Sequence, residues 1–340
     1  MEAPLCLYKP KEYSSTQEIN WCPGCGDYAV YDAVKKAMSE LCLRKEEVVV
    51  ISGIGCSSRF PYYMDTYGFH TIHGRPAAVA TGVKLANPDL HVWIVTGDGD
   101  SLAIGANHFV QIVRRNVDVN LLLFNNEIYG LTKGQHSPTT KTGFVTKSAP
   151  FGTIETPSNS GSLVLGAEGQ LFARVPDTDV KLMTSVFIEA EHHRGTSVVE
   201  ILQNCVIFND GTHEAITAKA NRADTQIILE HGMPMVFGAN RNKGLRINGL
   251  ELEVVTIGEN SITMSDVLVH DAHTRSTIVH DMLIRMQLPE FPIAMGVIRA
   301  APSSVYDVTF HEQLVTARSK SNVHSVNALF TSGNTFEVKP

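Results

Sequence analysis

HVWIVTGDGDSLAIGANHFVQIVRRNVDVNLLLFNN, residues 91–126, reads as strand, turn, helix and strand. Its opening run, HVWIVTG, is rich in Val and Ile and lacks polar alternation, as a strand covered on both faces does; VDVNLLLFNN, 117–126, repeats the pattern. Between them GDGD makes a glycine turn, and SLAIGANHFVQIVRRN, 101–116, opens a helix directly after it. A strand, helix and strand with no polar side on either strand belong to a parallel sheet with a helical crossover.

The same grammar extends outward. DYAVYDAVKKAMSELCL (27–43) predicts a helix, EVVVISGIGC (47–56) a buried strand ending in a glycine turn, and RPAAVATGVKLA (75–86) a second helix. Downstream, DVKLMTSVFIEAEHHRG (179–195) predicts a helix and TSVVEILQNC (196–205) a buried strand ending at a cysteine. The expectation is an α/β fold, a mostly parallel sheet with helices on both faces, whose ligands sit at the strand carboxyl ends.

Residues 132–180, with TKGQHSPTTKTG and APFGTIETPSNSGS, read as loop-rich, a lid or an interface rather than core. From about 215 the pattern changes to short strand-like pieces (GLELEVVTIG, ITMSDVLVHD) and a helix (HTRSTIVHDMLIRMQL). The chain therefore divides into a main domain, 1–214, and a C-terminal extension, 215–340, expected to serve subunit contact.

With 340 residues, 43% apolar and 19% charged, the chain can bury a full core and is far from a disordered composition. A net charge of −7 disfavours non-specific nucleic-acid binding. No apolar run suits a membrane span, and the first twenty residues lack the basic-then-apolar order of a signal peptide, so a cytoplasmic protein without membrane or nucleic-acid partners is expected. In such a reducing compartment the six cysteines read as metal ligands or redox groups rather than structural disulfides.

Gly97-Asp98-Gly99-Asp100, followed by Asn125-Asn126 at the end of the next strand, resembles the thiamine-diphosphate signature of GDG followed by NN. The chemistry agrees, because Mg²⁺ takes hard oxygen ligands and bridges to cofactor phosphates; Asp98 offers a carboxylate and Asn126 an amide oxygen. Gly97 and Gly99 admit close approach of a diphosphate, and the following helix start favours its charge; Gly99 and Asp100 are expected at the cofactor. The plain alternative is a strand-to-helix turn with Asp100 as an N-cap.

Cys22 and Cys25 form CPGC, Cys56 ends GIGC, and Cys205 ends LQNC. Four thiolates at one sheet edge can hold a 4Fe-4S cluster or a structural zinc, and spacing does not choose between them. A thioredoxin-like dithiol is a third reading, but it leaves Cys56 unused. Cys6 lies in an unpatterned terminus, and Cys42, at the apolar end of a helix, reads as a small hydrophobe.

NWCPGCGDYAV, GIGCSSRFPYYMDTYGFHTIHGRPAAVATGVKLANP, GDGDSLAIGANH, NNEIYGLTKGQHSPTT and NC together resemble the beta subunits of 2-oxoacid:ferredoxin oxidoreductases of the 2-oxoglutarate type, over about residues 18–210. The resemblance implies a thiamine-diphosphate-binding fold over 1–214 with Mg²⁺ and one 4Fe-4S cluster. It assigns the cluster to Cys22, Cys25, Cys56 and Cys205, and the Mg²⁺ to Asp98, Asn126 and the carbonyl of Ile128. It places Ile54, Gly55, Cys56, Ser57, His73, Gly74, Arg75, Pro76, Gly130 and Leu131 around the cofactor. His73 and Arg59 are the candidate catalytic side chains, Arg59 to pair with the distal carboxylate of 2-oxoglutarate, against the alternative of a surface pair with Asp65.

The implied reaction decarboxylates 2-oxoglutarate, passes two electrons singly through the cluster to ferredoxin, and gives succinyl-CoA; its reverse fixes CO₂. The glutamate that activates thiamine is missing, so the resemblance implies an obligate heteromer with an alpha subunit, a dimer of heterodimers. Pyruvate or another 2-oxoacid as substrate, and a zinc-stabilised scaffold subunit, are the competing readings.

Overall fold

The computed structural model describes residues 6–339. Its centre is an eight-stranded sheet of β1 (Val48–Ser52), β2 (Tyr67–His70), β3 (His91–Gly97), β4 (Val119–Asn125), β5 (Leu171–Pro176), β6 (Thr196–Leu202), β7 (Gln226–Leu229) and β8 (Ile293–Ala300), in the order β2-β1-β3-β4-β6-β5-β8-β7. Neighbouring strands are parallel except β5 and β8, which run antiparallel.

The helices flanking this sheet explain why its strands show no polar alternation. Val48, Val50, Trp93, Val95, Leu122, Phe124, Val199 and Ile201 face one core with α1 (Asp27–Glu40), which supplies Val30, Val34 and Met38. Val49, Ile51, Val92, Ile94, Leu121, Leu123 and Val198 face the other, where α2 (Pro76–Ala86) and α3 (Ala106–Arg115) supply Ala77, Ala80, Phe109 and Ile112. Helix α4 (Val180–His192) joins α1 through Met183 and Phe187. Each fully buried Val, Leu, Ile or Phe contributes about 1.5–3 kcal/mol, so both faces carry the fold. Among the described residues, no helix is long and apolar enough to cross a membrane.

Several expectations are corrected. The helix expected over 101–116 begins with a π-helical turn, Asp100–Ile104, and becomes regular only at Ala106; Asn116, at φ 56°, ends it. The loop expected over 132–180 contains the helix Ser160–Gly166, capped by Asn159, and the fully buried β5. The sheet does not stop at 214, because β7 and β8 add two strands to it from the C-terminal region. GLELEVVTIG supplies the strand Glu251–Thr256 of a separate three-stranded sheet, whereas ITMSDVLVHD holds a short 3-10 turn at Met264–Asp266 and a single antiparallel bridge from Val269 to Pro234. The helix read over 273–288 is Ile278–Arg285. Cys42 is not a lone apolar thiol: it forms a disulfide with Cys6, their Cα atoms 4.5 Å apart.

Candidate functional site

Strands β1, β3, β4 and β6 are adjacent and parallel, so their carboxyl ends share one edge. The segments leaving that edge, 53–57, 98–100, 126–131 and 203–205, carry most of the residues singled out in the sequence. They enclose two cavities.

The first, about 420 Å³, is lined by Cys22, Cys25, Cys56 and Cys205. Trp21 anchors the CPGC segment: its ring packs against Tyr28, Tyr31, Phe60 and Tyr63, and its Nε1 donates to the Cys56 carbonyl at 2.8 Å. Gly130 forms a wall where a Cβ would stand 3.4 Å from Cys205 Sγ and 3.9 Å from Cys56 Sγ. Burial pushes the Cys56 thiol up to about 11 and raises Cys25 as well. The sulfurs surround a space rather than meeting at a point; among the described residues, no three His, Cys, Asp or Glu side chains are grouped to hold a single ion.

The second cavity, about 120 Å³, is lined by Ile54, Gly55, Cys56, Ser57, His73, Asp98, Gly99, Asp100, Asn126, Ile128, Gly130 and Leu131 among others. Asp98 is buried, and burial pushes its carboxyl up to about 6. Asn126 Oδ1 accepts from the Ile128 amide at 3.2 Å, which brings two of the expected magnesium ligands together.

Asp100 ties the cavity's walls. Its Oδ1 accepts from the amides of Ile54 at 3.1 Å and Gly74 at 2.7 Å and from His73 Nδ1 at 2.5 Å, while Oδ2 accepts from Thr96 Oγ1 at 2.7 Å. An ionised Asp100 therefore fixes His73 with its proton on Nδ1. Arg75 Nη1 donates to the Ile104 carbonyl at 3.2 Å, and Pro76 starts α2; neither lines this cavity.

Arg59 lines the cysteine cavity and not the second one, and its Nη1 donates to the Asn20 carbonyl at 2.9 Å. Asp65, its alternative partner, pairs with Lys45 at 2.8 Å.

Sequence reasoning gave no site role of their own to Tyr129, Ser137, Thr139 and Gln203. Tyr129 lines the second cavity and donates from Oη to the Gly99 carbonyl at 3.1 Å. A Cβ on Gly99 would stand 2.2 Å from that ring, so glycine is required there by a close side chain. Ser137 and Thr139 donate to Asp98 from the segment read as loop. The density of Ser and Thr in HSPTT was the available signal.

Residues 53–201 match the family described as thiamine pyrophosphate enzyme, C-terminal TPP binding domain. The chain is 47% identical over 312 residues to 2-oxoglutarate oxidoreductase subunit KorB of Mycobacterium tuberculosis, covering 92% of this chain and 83% of that one. Identity to the 2-oxoacid:ferredoxin oxidoreductase 1 beta subunit of Aeropyrum pernix is 46% over 191 residues, 56% of this chain and 60% of that one. Among solved structures, a 2-oxoglutarate:ferredoxin oxidoreductase from Magnetococcus marinus, with 2-oxoglutarate, coenzyme A and succinyl-CoA bound, is similar at a TM-score of 0.75 and 29% identity, covering 97% of each chain.

Proposed function

The chain belongs to the family of 2-oxoglutarate:ferredoxin oxidoreductase beta subunits, and from that membership we propose that it binds thiamine diphosphate, Mg²⁺ and one 4Fe-4S cluster. With an alpha subunit, in a dimer of heterodimers, it converts 2-oxoglutarate and CoA to succinyl-CoA and CO₂, gives the electrons to ferredoxin, and runs in reverse to fix CO₂. Its place is the cytoplasm, where these reactants meet.

The observation that carries this reading is that the two cavities share walls: Cys56, Asn126, Gly130 and Leu131 line both. Thiamine diphosphate, when bound, supplies the nucleophilic carbon and the electron sink for loss of CO₂ from a 2-oxoacid. A cluster held by four cysteinates supplies one-electron transfer. Shared walls suit such a pairing, since electrons leaving one group must reach the other.

The residues present fit both groups. Four sulfurs around one cavity match the donor set and space of a cluster, whereas a single zinc needs them drawn to one centre. Asp98, Asn126 Oδ1 and the Ile128 carbonyl are oxygen donors suited to Mg²⁺. The Gly99 backbone is open to a diphosphate, and His73, locked by Asp100, borders the same space. Beyond residue 214, the helix Tyr306–Lys320 and the segment after it expose Val315, Val326, Leu329 and Phe330, the part we assign to contact with another subunit.

The test is the metal, sulfide and thiamine content of the complex purified without oxygen, together with CoA-dependent ferredoxin reduction by 2-oxoglutarate and by pyruvate. Iron with sulfide, one thiamine diphosphate per chain and a preference for 2-oxoglutarate are expected. Replacing Cys22, Cys25, Cys56 or Cys205 with Ser should abolish the cluster's spectroscopic signal. Stoichiometric zinc without iron would overturn the cluster, and a preference for pyruvate would overturn the substrate.

A further inference from the structure

Gln203 touches both cavities' machinery. It follows the last residue of β6 and is buried. Its Oε1 accepts from Asn126 Nδ2 at 2.7 Å, and its Nε2 stands 3.4 Å from Cys25 Sγ and 2.6 Å from the Asn204 carbonyl. The two protons on Nε2 match these two acceptors.

The orientation of both amides is internally forced. The Ile128 amide donates to Asn126 Oδ1, so Nδ2 of Asn126 must face Gln203, and Gln203 must meet it with oxygen. That leaves the Gln203 Nε2 facing Cys25. Turning either amide around would set N–H groups against each other in a buried site.

We infer that Gln203 is a positioning residue that joins the cluster to the cofactor cation. This inference rests on the cluster and thiamine reading proposed above. At one end Gln203 holds the Asn126 amide, aiming Oδ1 at the cation beside the Ile128 carbonyl. At the other it directs an N–H dipole at a cluster sulfur. Reduction adds negative charge to a cluster, and an N–H···S bond stabilises the more negative state, so this contact raises the reduction potential.

Two variants of the alpha–beta complex, purified without oxygen, separate the ends. Gln203→Leu removes both contacts. It should shift the cluster potential to more negative values in a spectroscopically monitored redox titration, and weaken Mg²⁺-thiamine diphosphate binding to the cofactor-stripped complex by about tenfold in calorimetry. Gln203→Glu keeps an acceptor for Asn126 and loses the amide donor. It should recover most of the cofactor affinity while the potential stays negative of wild type.

Wild-type potential and affinity in both variants, at full iron content, overturn the inference and leave the proposed function standing. A change confined to cofactor affinity in Gln203→Leu also overturns it, because no link to the cluster then exists. Absence of iron, sulfide or thiamine from the wild-type complex instead defeats the proposed function itself. Should Gln203→Leu not fold, Gln203→Glu still decides the cluster end: an unshifted potential there overturns the inference.

Discussion

Thr139 Oγ1 stands 2.6 Å from Asp98 Oδ2, joining residues 41 positions apart in the chain. Ser137 Oγ meets the same oxygen at 2.6 Å, and Thr139 also lies 2.9 Å from Asn125 Oδ1. Burial raises the Asp98 carboxyl, and the two hydroxyls act against that rise. They favour the ionised form that a cation requires, because a hydrogen bond to a carboxylate is stronger than one to a neutral oxygen.

Thr139→Val keeps the shape of the side chain and removes this bond. The expected result is about a tenfold loss of Mg²⁺-thiamine diphosphate affinity, in the range typical for groups that support a metal ligand. Asp98→Ala, which removes the proposed ligand itself, should abolish binding at the same Mg²⁺ concentration. Calorimetry on the cofactor-stripped complex checks both; wild-type affinity in Asp98→Ala would remove this carboxylate from the site.

The central strands were legible because burial on both faces leaves an uninterrupted apolar run, as in WIVTG and LLLFNN. The cavity residues at their ends were legible because GDG and NN put unusual residues where an apolar strand stops. β5 escaped notice: LFARVP places Arg174 within a strand, and its charge is neutralised by Glu200 from β6, a partner 26 residues away that local pattern does not reveal. β8 was hidden similarly, since IAMGVIRA carries Gly296 at φ 89°, a register shift and the buried Arg299. The Arg59 expectation rested on adjacency to Cys56, but a 3-10 turn over Ser57–Arg59 carries the chain toward the cysteine cavity.

That position changes what Arg59 is expected to do. Its guanidinium lowers the Cys56 pKa through charge, against the larger effect of burial. Arg59→Ala should therefore change kcat/KM for 2-oxoglutarate and pyruvate by the same factor. Steady-state kinetics with both substrates decide the matter, and a loss confined to 2-oxoglutarate would return Arg59 to the distal carboxylate.

Arg174 Nε donates to Glu200 Oε2 at 2.6 Å, and Asn125 Nδ2 donates to Oε1 at 2.9 Å, all three side chains buried. Burial alone would raise the Glu200 carboxyl, but the Arg174 guanidinium reverses this and holds it below its ordinary value. Arg174→Leu leaves an unpaired buried carboxylate and should cost about 3–5 kcal/mol in denaturant unfolding. The double variant Arg174→Leu, Glu200→Leu should recover much of that loss. Equal instability of the single and double variants would show that packing, not the stranded charge, sets the cost.

His193 caps the end of α4, where its amide donates to the Glu189 carbonyl at 3.1 Å. Its Nε2 is buried with no hydrogen-bond partner among the described residues, and burial pushes its pKa from an ordinary 6.5 to about 4, with Asp118 opposing the shift and His273 adding to it. An unfolded chain takes up this proton near pH 6.5, whereas the folded chain resists it until about pH 4. Between those values the unfolded state binds more protons, so stability is fully present above pH 6.5 and falls as the solution is acidified. The loss from this group amounts to about 2 kcal/mol at pH 5 and about 3 kcal/mol near pH 4. His193→Gln removes the titration, so the stability difference between variant and wild type should move in favour of the variant by those amounts from pH 7 downward. Urea unfolding at pH 7, 6 and 5 measures it; a constant difference across that range would mean that His193 is free to protonate in the folded chain.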